Sequence, residues 1–169
     1  MFDVNLVAGA LLIALAASGA AGAEPSTTTA IAGGYLLRCT ALMNPTQQNQ
    51  DAADALLSPG FEGTDARGLP VAREQYLSEF SQVVSRVRAT GCYNTLRSVD
   101  ASAPNTVVAV NTLHLDGLLR SSAGDHPVTL SETSQDTWLK AGGDWNISQS
   151  KTLKLTITID GKVFRNEGP

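Results

Sequence analysis

Two cysteines, two histidines and a charged fraction of 17% leave little for metal or redox chemistry in 169 residues. Neither Cys39 nor Cys92 has a CxxC partner, so zinc-finger and thioredoxin-like readings lack support. HExxH, GxSxG, the Walker glycine loop and the dinucleotide fingerprint are all missing. The pattern therefore calls for no metal and no cofactor. A formal net charge of -4 offers no basic footprint, which argues against a nucleic-acid partner. Beyond the N-terminal stretch no apolar run is long enough to span a membrane. Internal repeats and low-complexity linkers are also missing.

The N-terminal stretch stands apart. Residues 6–17 are an apolar run, Ser18-Gly19-Ala20 follows, and Ala21-Gly22-Ala23 supplies a small-residue cleavage site before Glu24-Pro25-Ser26. This reads as a secretory signal peptide over residues 1–23, although Asp3 and no Lys or Arg occupies its first five positions. The alternative is an uncleaved anchor, but the run falls short of the ~20 residues a spanning helix needs. No cysteine lies near the site, so a lipoprotein is not expected. The expectation is a secreted or periplasmic protein, free of the membrane once cleaved, with one domain over 24–169. In an oxidising compartment Cys39 and Cys92 would be bridged if geometry permits. The alternative is two free thiols packed as small hydrophobes.

Along that domain, Ser26-Thr27-Thr28-Thr29 offers caps for a helix carrying Ile31, Tyr35, Cys39 and Leu42 at helical spacing. Gly33-Gly34 weakens it by about 1 kcal/mol per glycine and reads as room for close packing. Asn44-Pro45 ends it. Thr46 caps a second, short helix running to Leu57, stopped by Ser58-Pro59-Gly60. Two short strand fragments, 61–64 and 69–71, flank a turn at 65–68. A third helix spans 73–88, with the stripe Tyr76, Phe80, Val83, Val84 and Val87 facing a core. Phe80, at the stripe's centre, is expected to be buried against the sheet. Strands follow at 93–101, 106–119, 128–140 and 145–159, with a turn region at 121–127. A final hairpin turns at Asp160-Gly161. Helices first and strands last argue α+β: three helices on one face of a bent antiparallel sheet.

The chain's only two tryptophans flank Gly142-Gly143 in Asp136-Thr137-Trp138-Leu139-Lys140-Ala141-Gly142-Gly143-Asp144-Trp145-Asn146-Ile147, a hairpin signal. A two- or four-residue loop sets Lys140 against Trp145, Trp138 against Ile147 and Asp136 against Gln149. One face would then carry both tryptophans, an aspartate and a glutamine, which is how an apolar pocket with a few polar groups is built. Asp136, buried beside Trp138, would be a usable general base. The alternative is an exposed or capped aspartate. Gln149 would orient a ligand carbonyl. Lys151 on the same nominal face would neutralise Glu132 or Asp136, or else mark a bulge that turns it outward. His114 and Asp116 share a strand face. That pair invites an acid–base reading, but their face is the more polar one and suits solvent or a dimer contact.

The element order resembles the nuclear transport factor 2-like superfamily, in particular its SnoaL-like members. The residues carrying the resemblance are Leu56-Leu57-Ser58-Pro59-Gly60-Phe61-Glu62-Gly63-Thr64-Asp65, Gly68-Leu69-Pro70-Val71-Ala72-Arg73-Glu74-Gln75-Tyr76-Leu77, Asp136-Thr137-Trp138 and Gly143-Asp144-Trp145, within residues 31–155. Ala72 stands where many relatives place a capping Ser or Thr. The resemblance implies a cone-shaped sheet whose mouth holds a small-molecule pocket, lined here by Tyr35, Tyr76, Phe80, Trp138, Trp145, Ile147 and Gln149. Members include isomerases, dehydratases, polyketide cyclases and association modules, so the fold leaves function open. Three functions follow in order. The first is an exported module binding a small apolar ligand. The second is a proton-transfer enzyme with Asp136 as base and Tyr35 or Tyr76 as donor. The third is a homodimerising partner domain.

Overall fold

The computed structural model describes residues 26–168. The leader assigned to residues 1–23 lies outside them. Three helices come first: α1 (Thr27–Met43), α2 (Gln47–Asp54) and, after strands β1 (Leu57–Thr64) and β2 (Pro70–Ala72), α3 (Arg73–Arg86). Five strands complete the chain: β3 (Val87–Ala103), β4 (Thr106–Ser121), β5 (Gly124–Ala141), β6 (Asp144–Ile159) and β7 (Lys162–Glu167). The sheet runs β2-β1-β6-β5-β4-β3. β1 pairs parallel with the first part of β6, and β7 pairs antiparallel with the last part of the same edge. This is the expected α+β cone: a curved, unclosed sheet with helices on its concave side.

Local chemistry explains the boundaries. The Ser26 hydroxyl caps α1 by accepting from the Thr29 amide at 3.3 Å, and Thr46 does the same for α2 from Asn49. Ala72 opens α3 without a side-chain cap. Three expected boundaries are corrected. α2 stops at Asp54, and Ser58-Pro59-Gly60 is part of β1 rather than a helix stop. Pro59 is tolerated because β1 pairs with β6 only at Leu57 and again from Glu62 onward. α3 ends at Arg86, and Val87 already has extended φ and ψ of -105° and 122°, so β3 begins six residues before the expected strand. The β-branched pair Val83-Val84 and then Val87 favour that switch. The turn region at 121–127 shrinks to a tight hairpin in which Ser121 pairs with Gly124.

Two glycine hairpins behave as expected. Gly142 and Gly143 have φ of 63° and 102°, and Asp160 and Gly161 have 52° and 73°, the twist a two-residue hairpin requires. Gly34 serves a different end: a Cβ there would sit 2.6 Å from Trp138 Cη2, so α1 reaches the sheet only through a glycine. Cys39 and Cys92 are bridged, with Cα atoms 5.4 Å apart, tying α1 to β3.

The register across β4, β5 and β6 decides what faces the inside. Lys140 opposes Trp145 and Trp138 opposes Ile147, as expected. Ser148 then bulges, so Asp136 opposes Ser150, not Gln149. A second bulge at Leu153 restores the parity, setting Glu132 against Leu155 and Leu130 against Ile157. The first bulge carries Gln149 and Lys151 to the outer face, where both are exposed. What remains inward is a stack of layers. Val107, Trp138 and Ile147 form an apolar layer, followed by Ala109, Asp136 and Ser150, then Asn111, Ser134 and Thr152. Leu113, Glu132 and Leu155 come next, and Leu115, Leu130 and Ile157 close the series. A polar belt thus separates two apolar ends.

Candidate functional site

The two ends of the cone differ. At the closed end Ile31, Tyr35, Leu56, Leu57, Phe61, Val107, Trp138 and Ile147 make a sealed core. Tyr35, Trp138 and Ile147, expected on a pocket wall, are core residues instead. Trp145 is partly buried against the same cluster. Gln149 is on solvent, for the register reason given above. At the open end Cys39, Leu42, Leu113 and Leu115 form a smaller cluster, with Phe80, Val83, Val84 and Leu130 packed against it. Between that cluster and α3 lies a cavity of about 650 Å³, within the size range of small-molecule sites. Tyr76 and Phe80 lie on its wall. Phe80 is consequently half-buried, not a core residue, and no residue of α3 is fully buried.

Asp136 is completely buried, and its carboxylate is saturated by hydroxyl donors. The Tyr35 hydroxyl donates to Oδ2 at 2.7 Å, Ser134 Oγ donates to the same oxygen at 2.9 Å, and Ser150 Oγ donates to Oδ1 at 2.5 Å. Trp138 Nε1 donates in turn to the Tyr35 hydroxyl at 3.2 Å, with the two rings edge to face at 5.2 Å. Burial and the adjacent Asp136 push the Tyr35 hydroxyl far above the ordinary tyrosine range, so it remains a donor. A carboxylate with three donors and no cavity surface holds α1 on the sheet. It is not placed to take a proton directly from a ligand in the cavity. The general-base assignment of Asp136 is corrected on this ground.

The cavity's polar wall is built by other residues. Glu132 lies two layers along β5 from Asp136, and Thr152 donates to its Oε1 at 3.1 Å. Ser150 is the one member of the Asp136 network on the wall. Arg38, one helical turn after Tyr35, also reaches the wall and is only 8% exposed. Its guanidinium lies 5.5 Å from the centre of the Tyr76 ring. Burial works against its charge, but Tyr76, Glu132 and Asp136 more than offset this, and it stays protonated. Burial also raises the Tyr76 hydroxyl above its ordinary range. At the mouth, Arg165 Nη2 meets Glu167 Oε2 at 2.8 Å on β7. Sequence reasoning missed Arg38 and Ser150. The signal for Arg38 was a lone basic residue on the apolar stripe between Tyr35 and Cys39.

The remaining candidates lie elsewhere. His114 stacks on exposed Tyr93 at 4.6 Å on the outer face, and Asp116 is exposed beside it. The other histidine, His126, which the sequence places in a loop, pairs with Asp160 at 2.9 Å next to the last hairpin turn. Among the described residues no group of three His, Cys, Asp or Glu side chains is placed to hold a metal. No helix among them is long and apolar enough to cross a membrane.

No family model matches the sequence, and no curated protein matches it. Solved structures do match the fold. A provisionally assigned scytalone dehydratase from Novosphingobium aromaticivorans superposes with a TM-score of 0.66 at 16% identity, covering 84% of this chain and 91% of its own. Hexachlorocyclohexane dehydrochlorinase LinA-type3 from Novosphingobium barchaimii gives 0.58 at 14% identity, covering 83% and 88%. A nuclear transport factor 2-like protein from Cytophaga hutchinsonii gives 0.57 at 14% identity, covering 76% and 98%. At such identities the likeness is one of fold, and the fold is the nuclear transport factor 2-like cone.

Proposed function

We propose that the protein is an exported small-molecule-binding domain that takes a mostly apolar ligand between α3 and the open end of the cone. The observation carrying this reading is the roughly 650 Å³ cavity walled by Leu113, Leu115, Leu155, Ile157 and Phe80. Such a void in an otherwise packed domain leaves apolar side chains without neighbours, which a ligand would supply. Two solved structures of the same fold are described as a provisionally assigned dehydratase and a dehydrochlorinase, proteins that act on small molecules. The finer SnoaL-like assignment rests on the sequence motifs alone. Titrating 1-octanol into isotope-labelled protein should shift the amide signals of Leu113, Leu115, Leu155 and Phe80, and Leu113→Trp should abolish the response. Shifts confined to the outer face, at Tyr93 and His114, would refute the site.

The leader and the Cys39–Cys92 bridge together support export, since such bridges persist in oxidising compartments. N-terminal sequencing of protein recovered from its host should begin at Glu24. A product starting at Met1 would refute cleavage.

One observation favours a second reading, proton transfer. Glu132 is a carboxylate on the cavity wall, which Asp136 is not, and it acts on the charge of the buried Arg38. In that reading Glu132 is the base, and Glu132→Gln would remove turnover while leaving ligand affinity within a few-fold.

A further inference from the structure

The cavity has an asymmetry in its hydrogen-bonding groups. Arg38 carries five N–H donors, is nine-tenths buried, and makes no hydrogen bond or ion pair with any described residue. Asp136 already accepts from three hydroxyls. Glu132 Oε1 accepts from Thr152. The Tyr76 hydroxyl, kept protonated by burial, likewise makes no hydrogen bond with a described residue. Its ring is instead held by Phe61 at 5.2 Å and lies against the Arg38 guanidinium. Both side chains line the cavity and neither has an acceptor among the described residues, so an oxygen entering the cavity there would meet donors that are not already taken.

The charges nearby decide which oxygen. Glu132 and Asp136 act on the Arg38 charge, and both, with Glu79, act on Tyr76. The wall carries Arg38, Arg86 and Arg165 against Asp65, Glu79, Glu132 and Glu167, so a ligand carboxylate would enter beside more acidic than basic side chains, and like charges repel. A neutral carbonyl accepts the same hydrogen bonds without that repulsion. Resting on the ligand-binding reading above, we propose that Arg38 and Tyr76 are the head-group anchor of the cavity and select apolar ligands ending in a neutral carbonyl, such as a ketone, ester or lactone, over carboxylates.

The test uses octane, 2-octanone and octanoate at pH 7 against the full mature chain and its Arg38→Met and Tyr76→Phe variants. The unaltered protein should bind 2-octanone about 10–100-fold tighter than octane, the range for hydrogen bonds to a charged donor. Each variant should lose about 10-fold on the ketone and keep its octane affinity within about two-fold. Should Arg38→Met not fold, Tyr76→Phe and a vibrational readout stand in. The carbonyl stretch of 2-octanone bound to the unaltered protein should lie at lower frequency than in hexane. Octane and 2-octanone binding equally, an unshifted carbonyl stretch, or octanoate binding tighter than 2-octanone would each overturn the head-group assignment while leaving the cavity reading intact. Failure of all three probes to bind would overturn the cavity reading and this one with it.

Discussion

Asp136 and Tyr35 are 101 positions apart, and their hydrogen bond is a polar link between α1 and the middle of the sheet, beside that from Trp138 Nε1. Hydrogen bonds to a charged group contribute about 1.5–3 kcal/mol each, so Tyr35→Phe should lower stability by that order in urea melts. Asp136→Asn should cost a similar amount. Because the two act through one contact, the double variant should cost clearly less than the sum. Strict additivity would mean that the bond contributes nothing. The glycines of α1 make a matched pair. Gly34→Ala drives a methyl into the Trp138 ring and should cost about 1–3 kcal/mol, as overpacking does. Gly33 has nothing within 4 Å of a built Cβ, so Gly33→Ala should gain about 0.5–1 kcal/mol from helix propensity alone. Equal effects at both positions would show that α1 does not approach the sheet through Gly34.

Elements were legible wherever a periodic pattern met a local stop signal, and the site was legible only in part. The alternation of β6, both two-residue hairpin turns and the capped starts of α1 and α2 follow from neighbouring residues, and local rules found them. The inner face of β6 was harder. Gln149 and Lys151 interrupt its apolar side, and the interruption was itself the trace of a bulge. Nothing local places that bulge at Ser148, and without it the hairpin sets Asp136 against Gln149, one register from the observed pairing with Ser150. Arg38 escaped notice because a basic residue on a helix usually faces water. What surrounds it, Tyr76 and Glu132 among others, is far away in the chain. The bridge between Cys39 and Cys92 belongs to the same class of long-range fact, since spacing cannot show that two Cα atoms meet. It closes a sequence separation of 53, worth up to ~4 kcal/mol in the chain-entropy view. Reducing and alkylating both thiols should lower the denaturant midpoint by an amount approaching that figure. Asn94 also ties the elements, donating to the Tyr35 carbonyl at 3.0 Å and to Cys39 Sγ at 3.2 Å. A midpoint unchanged by reduction would mean that these contacts hold α1 without the bridge.

The whole molecule is a cone with one end packed and the other hollow, and stability and binding should divide along that axis. Ile31 at the closed end is fully buried, so Ile31→Ala should cost about 2–5 kcal/mol, the transfer loss plus an unfilled cavity. Phe80 is the larger side chain, but it already faces the cavity across from the sheet. Phe80→Ala should therefore fall below the ~3–5 kcal/mol expected of a core phenylalanine, because less apolar surface is withdrawn from packed neighbours. A bound ligand should act in the opposite sense. At a free concentration 100 times its dissociation constant it adds about 2.7 kcal/mol by mass action. Hydrogen-exchange protection should rise in α3 and along Leu113–Leu115 and Leu155–Ile157, where the ligand makes its contacts, whereas sub-global openings at the closed end should be unchanged. Phe80→Ala should weaken this ligand response, and Ile31→Ala should leave it intact in whatever fraction remains folded. If Phe80→Ala proves as costly as a core truncation and ligand protection spreads evenly over both ends, the cone is packed throughout, and its function belongs on the outer sheet face instead.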